Sequence, residues 1–128
     1  MFLSLLAGHI IGDYFLQTEK MATKKTSSNF WAASHSLVYA VTICVTVGVF
    51  NKNIYMSSIS LFVASLIVVF LSHYPIDRYR VAWRIMEFKG MPNINVPIEA
   101  AFAAIIYVII DNSMHLAIMY WWFNGIIS

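Results

Sequence analysis

The sequence has little of the charge that a water-soluble domain needs on its surface. Of its 128 residues, 11% are charged and 60% are hydrophobic, whereas an average soluble domain is about 25% charged. A soluble chain of this length could not bury so much apolar surface, because small domains have a large surface-to-volume ratio. A lipid bilayer accepts apolar surface, so the composition predicts a membrane protein.

Other scarce features exclude further classes of protein. The chain has a single cysteine, Cys44, which excludes an internal disulfide. It contains no Walker loop, glycine-rich nucleotide motif, CxxC pair or serine elbow. Its eight lysine and arginine residues form no continuous basic face with interleaved aromatic residues, so nucleic acid is not an expected partner.

Four apolar runs separated by polar linkers predict an all-α fold, a membrane bundle of four transmembrane helices in one domain over residues 1–128. The first run is shorter than the roughly 20 residues that a span needs. The last is too long for one straight span, so it tilts, protrudes, or breaks near residues 111–113. Basic and apolar residues after the third run predict a short interfacial helix as well. The four runs are residues 2–17, 30–50, 54–76 and 98–127.

Basic residues are concentrated in two of the linkers. Seven of the eight lie within residues 20–25 and 78–89, and Lys52 is the exception. Loops rich in lysine and arginine stay on the cytoplasmic side of a membrane. We therefore expect a multi-pass protein of the inner (cytoplasmic) membrane with both termini outside.

Histidine and aspartate residues form a pattern inside the apolar runs. Every aspartate stands four residues from a histidine, a spacing that puts both side chains on one face of a helix. An aspartate near the centre of a spanning helix costs about 2.5–3.5 kcal/mol, so these faces should point into the bundle. The pairs are His9 with Asp13, His73 with Asp77, and Asp111 with His115, and His35 is the fourth histidine.

These side chains predict a metal site. Imidazole and carboxylate groups suit divalent ions such as zinc, manganese or iron, and helix bundles build such sites from inward-facing pairs. Seven possible ligands exceed one tetrahedral site, so they would hold either two ions or one ion with carboxylates supporting the histidines. Intramembrane ion pairs and a proton path are the alternatives. The seven are His9, Asp13, His35, His73, Asp77, Asp111 and His115.

The first pair belongs to a longer motif, His9-Ile-Ile-Gly-Asp-Tyr-Phe-Leu-Gln-Thr18. Together with Met21-Ala22, Lys24 or Lys25, and the later histidine and aspartate pairs, it resembles a family of small bacterial and phage membrane proteins known as domain of unknown function 3307. Asn112 stands where that family usually has glutamine. The resemblance covers nearly the whole chain and implies a site without naming its reaction.

The function that this pattern favours is a metal-dependent hydrolase embedded in the membrane. Asp13 or Asp77 would act as the general base. The substrate would be a lipid or lipid-linked phosphate drawn in by basic residues. Two other functions stay open. One is a non-enzymatic, phage-encoded protein that binds a host membrane complex, and the other is a proton or ion conductor that would form homo-oligomers. The basic residues are Arg78, Arg80, Arg84 and Lys89.

Overall fold

The described part of the chain is helical and contains no strand. The computed structural model describes residues 1–51, 54–55, 58–90 and 97–127. Its architecture confirms the predicted all-α class. The elements are α1 (Phe2–Ile10), a π-helical turn (Ile11–Phe15), α2 (Glu19–Lys24), α3 (Asn29–Phe50), α4 (Ile59–Arg78), α5 (Val81–Phe88) and α6 (Pro97–Ile127).

Three of these helices, α3, α4 and α6, are long and apolar enough to cross a bilayer. The first apolar run forms a shorter helix, Phe2–Phe15, which extends about 21 Å at 1.5 Å per residue. A hydrocarbon core is about 30 Å thick, so this helix covers only part of the depth. The apolar helices indicate a membrane protein, with one helix too short to span the core beside three that are long enough.

The last apolar run forms one helix, and the break considered near residues 111–113 does not occur. Helix α6 is continuous over 31 residues, or about 46 Å. It therefore has to tilt or protrude from the bilayer. The predicted short helix after the third run is present as α5. The third run begins as a helix only at Ile59 and contains Pro75 in its last turn.

The helices pack into a closed ring in the order α1, α3, α4, α6. Helix α3 shows how side chains divide between its inner and outer faces. Tyr39 and Ile43 are at most 1% exposed, whereas Val41 and Val45 on the other face are 41% and 51% exposed. An apolar outer face is what lipid requires, so the ring turns its polar residues inward.

The apolar core fills one half of the ring, toward the starts of α1 and α4 and the ends of α3 and α6. We call it the apolar plug. Each of its residues is at most 2% exposed, as expected for a close-packed interior. It consists of Leu5, Tyr39, Ala40, Ile43, Cys44, Val47, Val69, Met119 and Phe123.

The other half of the ring ends in the two basic linkers, which lie side by side. Arg78 donates hydrogen bonds to the side chain of Asn29 and the carbonyl of Thr26, and Lys25 reaches Asp77. We call this the basic end. Both basic stretches therefore share one end of the bundle, as the positive-inside pattern predicts for loops on a common side. The loop with Lys52 lies largely outside the described residues.

Helix α1 approaches α3 closely because it has glycine at two contact positions. A Cβ on Gly8 would lie 3.1 Å from Ile43 Cδ1, and one on Gly12 would lie 3.0 Å from Tyr39 Cδ2. Gly12 belongs to the π-helical turn that carries Asp13. Such turns are frequent at functional sites in helical proteins, and this one directs Asp13 into the ring.

Candidate metal centre

All four histidines point into the ring between the apolar plug and the basic end. Each is at most 3% exposed, although α1, α3, α4 and α6 each supply one. Asp13 and Asp77 are also buried, at 7% and 3% exposure. These side chains are buried together because the i,i+4 spacing turns each histidine and its aspartate toward the same side of the helix.

Four of these side chains converge on one point, and we call them the first ligand group: Asp13, His35, His73 and Asp77. His35 Nε2 lies 3.0 Å from His73 Nε2, 3.0 Å from Asp13 Oδ1 and 2.9 Å from Asp77 Oδ2. His73 Nε2 lies 3.3 Å from that Asp77 oxygen and 3.8 Å from the Asp13 oxygen. A tetrahedral zinc site with bonds near 2.0 Å spaces its donors about 3.3 Å apart. The two nitrogens and two oxygens therefore fit a tetrahedral ion.

Hydrogen bonds alone do not account for this convergence. His35 Nε2 has three donor or acceptor atoms within 3.0 Å, from Asp13, His73 and Asp77. A ring nitrogen carries one hydrogen or one lone pair, so it can satisfy one such neighbour. Asp13 Oδ1 is buried without a hydrogen-bond partner. A divalent cation satisfies all four atoms at once, which is why the residues present fit a metal.

Lys25 approaches the first ligand group from the basic end. Its Nζ lies 2.7 Å from Asp77 Oδ2 and 3.4 Å from His35 Nε2, and its side chain is 18% exposed. The ammonium supplies positive charge to a carboxylate that is otherwise desolvated. The lysine thus occupies the oxygen that a metal ion in the first ligand group would need.

A second ligand group shares Asp13 with the first and adds Asp111 and His115. His115 Nε2 lies 3.7 Å from Asp111 Oδ2 and 3.3 Å from Asp77 Oδ1. The other nitrogen of His115 is 3.2 Å from His73 Nδ1. The two ligand groups are therefore adjacent and joined by an imidazole contact and a common carboxylate.

His9 lies beside these groups and belongs to neither. Its Nδ1 is 2.7 Å from the Tyr39 hydroxyl and its Nε2 is 2.9 Å from Asn112 Oδ1. Both ring nitrogens thus have a neutral partner. The nearest carboxylate oxygen, Asp13 Oδ2, is 3.7 Å away. Its predicted role as a metal ligand stays a prediction, and the geometry favours a supporting position.

A pocket of about 400 Å³ opens beside the centre. We call it the side pocket. Asp13 and Asp111 lie in its wall, together with Gln17, while Lys25 and Arg80 lie nearer the basic end. Asp111 Oδ1 and Gln17 Oε1 are buried without a hydrogen-bond partner. The side pocket therefore opens beside two side chains whose buried acceptor oxygens lack a donor.

The comparison with protein families gives one result. A family described as a protein of unknown function, DUF3307, matches residues 1–127. The chain belongs to the DUF3307 family. No curated protein and no solved structure matches it. The resemblance found from the motifs is thereby confirmed, and DUF3307 membership itself assigns no reaction.

The sequence pattern predicts seven metal ligands. Six of them lie in the two ligand groups of this DUF3307 chain. Two other residues of the centre, Lys25 and Tyr39, do not follow from the pattern of histidine and aspartate pairs, although Lys25 stands in the N-terminal family motif. Tyr39 stands four residues after His35 and stacks on His73 at 3.7 Å between ring centroids. The helical spacing that identified the aspartates would have identified Tyr39 too.

Proposed function

We propose that this protein is a membrane-embedded metal-dependent hydrolase that acts on a lipid or lipid-linked phosphate. The observation that supports it is the convergence of two imidazole nitrogens and two carboxylate oxygens at 2.9–3.8 Å on a buried point. A buried polar cluster in apolar helices opposes membrane insertion, so its retention favours a function over a packing role.

The chain's own residues would bind the ion and deliver substrate and water. Asp13, His35, His73 and Asp77 would hold the ion. A divalent ion there lowers the pKa of a coordinated water and polarises a phosphoryl oxygen. The side pocket provides the approach, because Asp13 lies both in its wall and in the first ligand group.

Proton transfer is better assigned to Asp13 than to Asp77. Asp13 lines the side pocket, whereas Asp77 is 3% exposed and is not part of the pocket wall. In the proposed reaction the water oxygen forms a bond to phosphorus while the bond from phosphorus to the leaving oxygen breaks. Asp13 would bind the ion through Oδ1. Its other oxygen, Oδ2, would take the proton of the water, and the leaving oxygen would take a proton from solvent at the pocket mouth.

The basic end favours an anionic substrate. Arg80 lines the side pocket, while Arg78 and Arg84 lie in the adjoining surface cleft. Basic residues next to a spanning helix attract anionic lipid head groups, at about 1 kcal/mol for each lysine or arginine. We therefore infer that substrate enters from the leaflet at the basic end, which the charge pattern predicts to be the cytoplasmic one.

The first test measures metal and turnover in the purified protein. We expect stoichiometric metal and metal-dependent release of inorganic phosphate from vesicles that contain phosphatidic acid or a long-chain isoprenyl diphosphate. His73→Gln should lose both properties, and Glu19→Gln, an exposed acidic residue on α2, should keep both. Absence of bound metal in a folded preparation would remove the hydrolase mechanism.

A proton path is the second candidate, and one observation favours it. The rings of His35, His73 and His115 are linked by nitrogen contacts of 3.0 and 3.2 Å. The apolar plug argues against a full path, because it closes the ring beyond these histidines. Proton flux into liposomes that responds to an imposed pH gradient would favour the conductor over the hydrolase.

A further inference from the structure

We infer that Asp13, Asp111 and His115 form a second divalent-cation site next to the first, so that the centre holds two ions that share one oxygen of Asp13. The inference rests on the proposed function, since it extends the same centre. It also restricts the chemistry, because two ions about 3.5–4 Å apart are suited to in-line displacement at phosphorus.

The first argument is the spacing of the donors. The ligand atoms of Asp13, Asp111 and His115 all lie within 4.8 Å of one another. An octahedral ion with bonds near 2.1 Å places neighbouring donors about 3.0 Å apart and opposite donors about 4.2 Å apart. His115 Nε2 and Asp111 Oδ2 are 3.7 Å apart, between these two values. Small side-chain shifts would therefore bring the three donors onto one ion, and the side pocket leaves room for the remaining coordination positions.

The second argument is the state of the oxygens in the side pocket. Asp111 Oδ1 and Gln17 Oε1, which the first ion does not reach, are both buried without a hydrogen-bond partner, and both residues line that pocket with Asp13. A buried acceptor without a donor costs about 1–3 kcal/mol. Asp13 is more than nine-tenths buried, with its side chain 8% exposed. A cation in the pocket satisfies such oxygens together, and a carboxylate has enough lone pairs to serve two neighbours.

The donor set predicts which ion the second site prefers. The first ligand group offers two nitrogens and two oxygens, whereas the second offers one nitrogen and two carboxylates, with the Gln17 amide nearby. Imidazole suits zinc and iron, while carboxylate and carbonyl oxygens suit magnesium and manganese. The second site should therefore take Mn²⁺ or Mg²⁺ more readily than Zn²⁺.

Charge links the second ion to the substrate. Asp13, Asp77 and Asp111 sum to −3 at this centre when the histidines are neutral and Lys25 has left Asp77. One divalent ion would leave −1, and a second would leave an excess of +1. A phosphate group in the side pocket offsets that excess, so phosphate and the second ion should each strengthen the binding of the other.

The experiment counts bound Mn²⁺ by equilibrium dialysis in the presence of inorganic phosphate. Wild-type protein should bind two ions, Asp111→Asn one, and Glu99→Gln two. Glu99 is the matched control because it is an acidic residue of the same helix, about 18 Å away along its axis. One ion in both wild type and Asp111→Asn would overturn the second site and leave the hydrolase proposal standing. No ion in any protein would overturn both.

A spectroscopic readout keeps the inference testable if Asp111→Asn fails to fold. The electron paramagnetic resonance spectrum of the Mn²⁺-loaded wild type should show exchange coupling between neighbouring ions. Asp111→Asn, where it folds, should show the signal of an isolated ion. A wild-type spectrum of isolated Mn²⁺ alone would contradict the shared centre.

Discussion

The Nζ atom of Lys25 lies 2.7 Å from Asp77 Oδ2, which joins the basic linker to the last turn of α4. The same oxygen is 2.9 Å from His35 Nε2. An ammonium and a metal ion cannot both approach it so closely, because like charges repel strongly where the dielectric is low. The ion pair therefore balances the buried carboxylate, and a metal ion bound at this oxygen would have to displace the lysine.

Replacing Lys25 with methionine should strengthen metal binding. The substitution removes the positive charge that competes for Asp77 and keeps a flexible apolar side chain of similar length. We expect the dissociation constant of Zn²⁺ to fall by about tenfold, which corresponds to about 1.4 kcal/mol. Competition titration with a chromophoric chelator measures it.

The same variant should be less stable without metal, since Asp77 then lacks its partner. Lys24→Met is the control, because Lys24 is exposed in the last turn of α2. Equal affinity in Lys25→Met and wild type would show that the lysine does not compete with the ion.

His73 and His9 should differ sharply in their effect on metal binding, although both are 1% exposed. His73 Nε2 belongs to the first ligand group, so His73→Gln should weaken binding by more than about 100-fold. Partners that only orient a ligand already account for about 10–100-fold. His9 bonds to Tyr39 and Asn112 instead, and His9→Gln should change the affinity by less than about tenfold.

Metal titration of the two glutamine variants checks this contrast, and circular dichroism confirms that each is folded. A His9→Gln protein that binds as weakly as His73→Gln would place His9 among the ligands, as the sequence pattern alone predicts. The two variants therefore decide whether His9 is a ligand, as the sequence predicts, or lies outside both ligand groups, as in the structure.

Gly12 should not tolerate alanine, because α1 and α3 touch there. The added Cβ would lie 3.0 Å from Tyr39 Cδ2 and 3.4 Å from Tyr39 Cα. Overpacking of this kind costs about 1–3 kcal/mol. We expect a lower thermal midpoint in detergent and weaker metal binding, since Tyr39 stacks on His73.

Gly125 provides the matched control, because a Cβ there meets nothing within 4 Å. Gly125→Ala lies in a helix, where alanine is favoured over glycine by about 0.5–1 kcal/mol. That variant should be unchanged or slightly more stable. A Gly12→Ala protein as stable as Gly125→Ala would mean that the two helices do not pack as closely as they do here.

The helical bundle could be predicted from the sequence because its signals are local. Apolar runs of 20 residues define spans, and an aspartate four residues from a histidine defines a shared face. Burial cost then required Asp13 and Asp77 to face inward. These arguments do not depend on which helix is the neighbour. They therefore predict the all-α class of the fold and the six residues of the two ligand groups.

The rest of the centre depends on contacts between distant segments. The proximity of Lys25 to Asp77 joins positions 52 residues apart, and no spacing rule relates them. The π-helical turn at Asp13 breaks the regular period on which sequence reasoning relies. The division into two ligand groups follows from how α6 meets α1 and α4, which a pattern within one helix cannot reveal.

Arg80 should show a conflict between stability and function. It is the non-glycine residue with positive φ, at 51°, among those that the structure describes, and it precedes α5 at the side pocket. A left-handed conformation costs a non-glycine residue about 1–2 kcal/mol. Its guanidinium also lies 5.1 Å from the Trp83 ring centroid, which returns about 0.5–1 kcal/mol.

Arg80→Gly should therefore raise the free energy of unfolding by about 0.5–1 kcal/mol, since glycine adopts positive φ freely and loses only the contact with Trp83. Arg84→Gly should lower it by about 1 kcal/mol, because Arg84 is inside α5 and glycine is a poor helix former. Chemical unfolding in detergent compares the two. Phosphate release should fall in Arg80→Gly, whose side pocket has lost its guanidinium. A variant that is both more stable and fully active would show that Arg80 has no part in binding the anionic substrate.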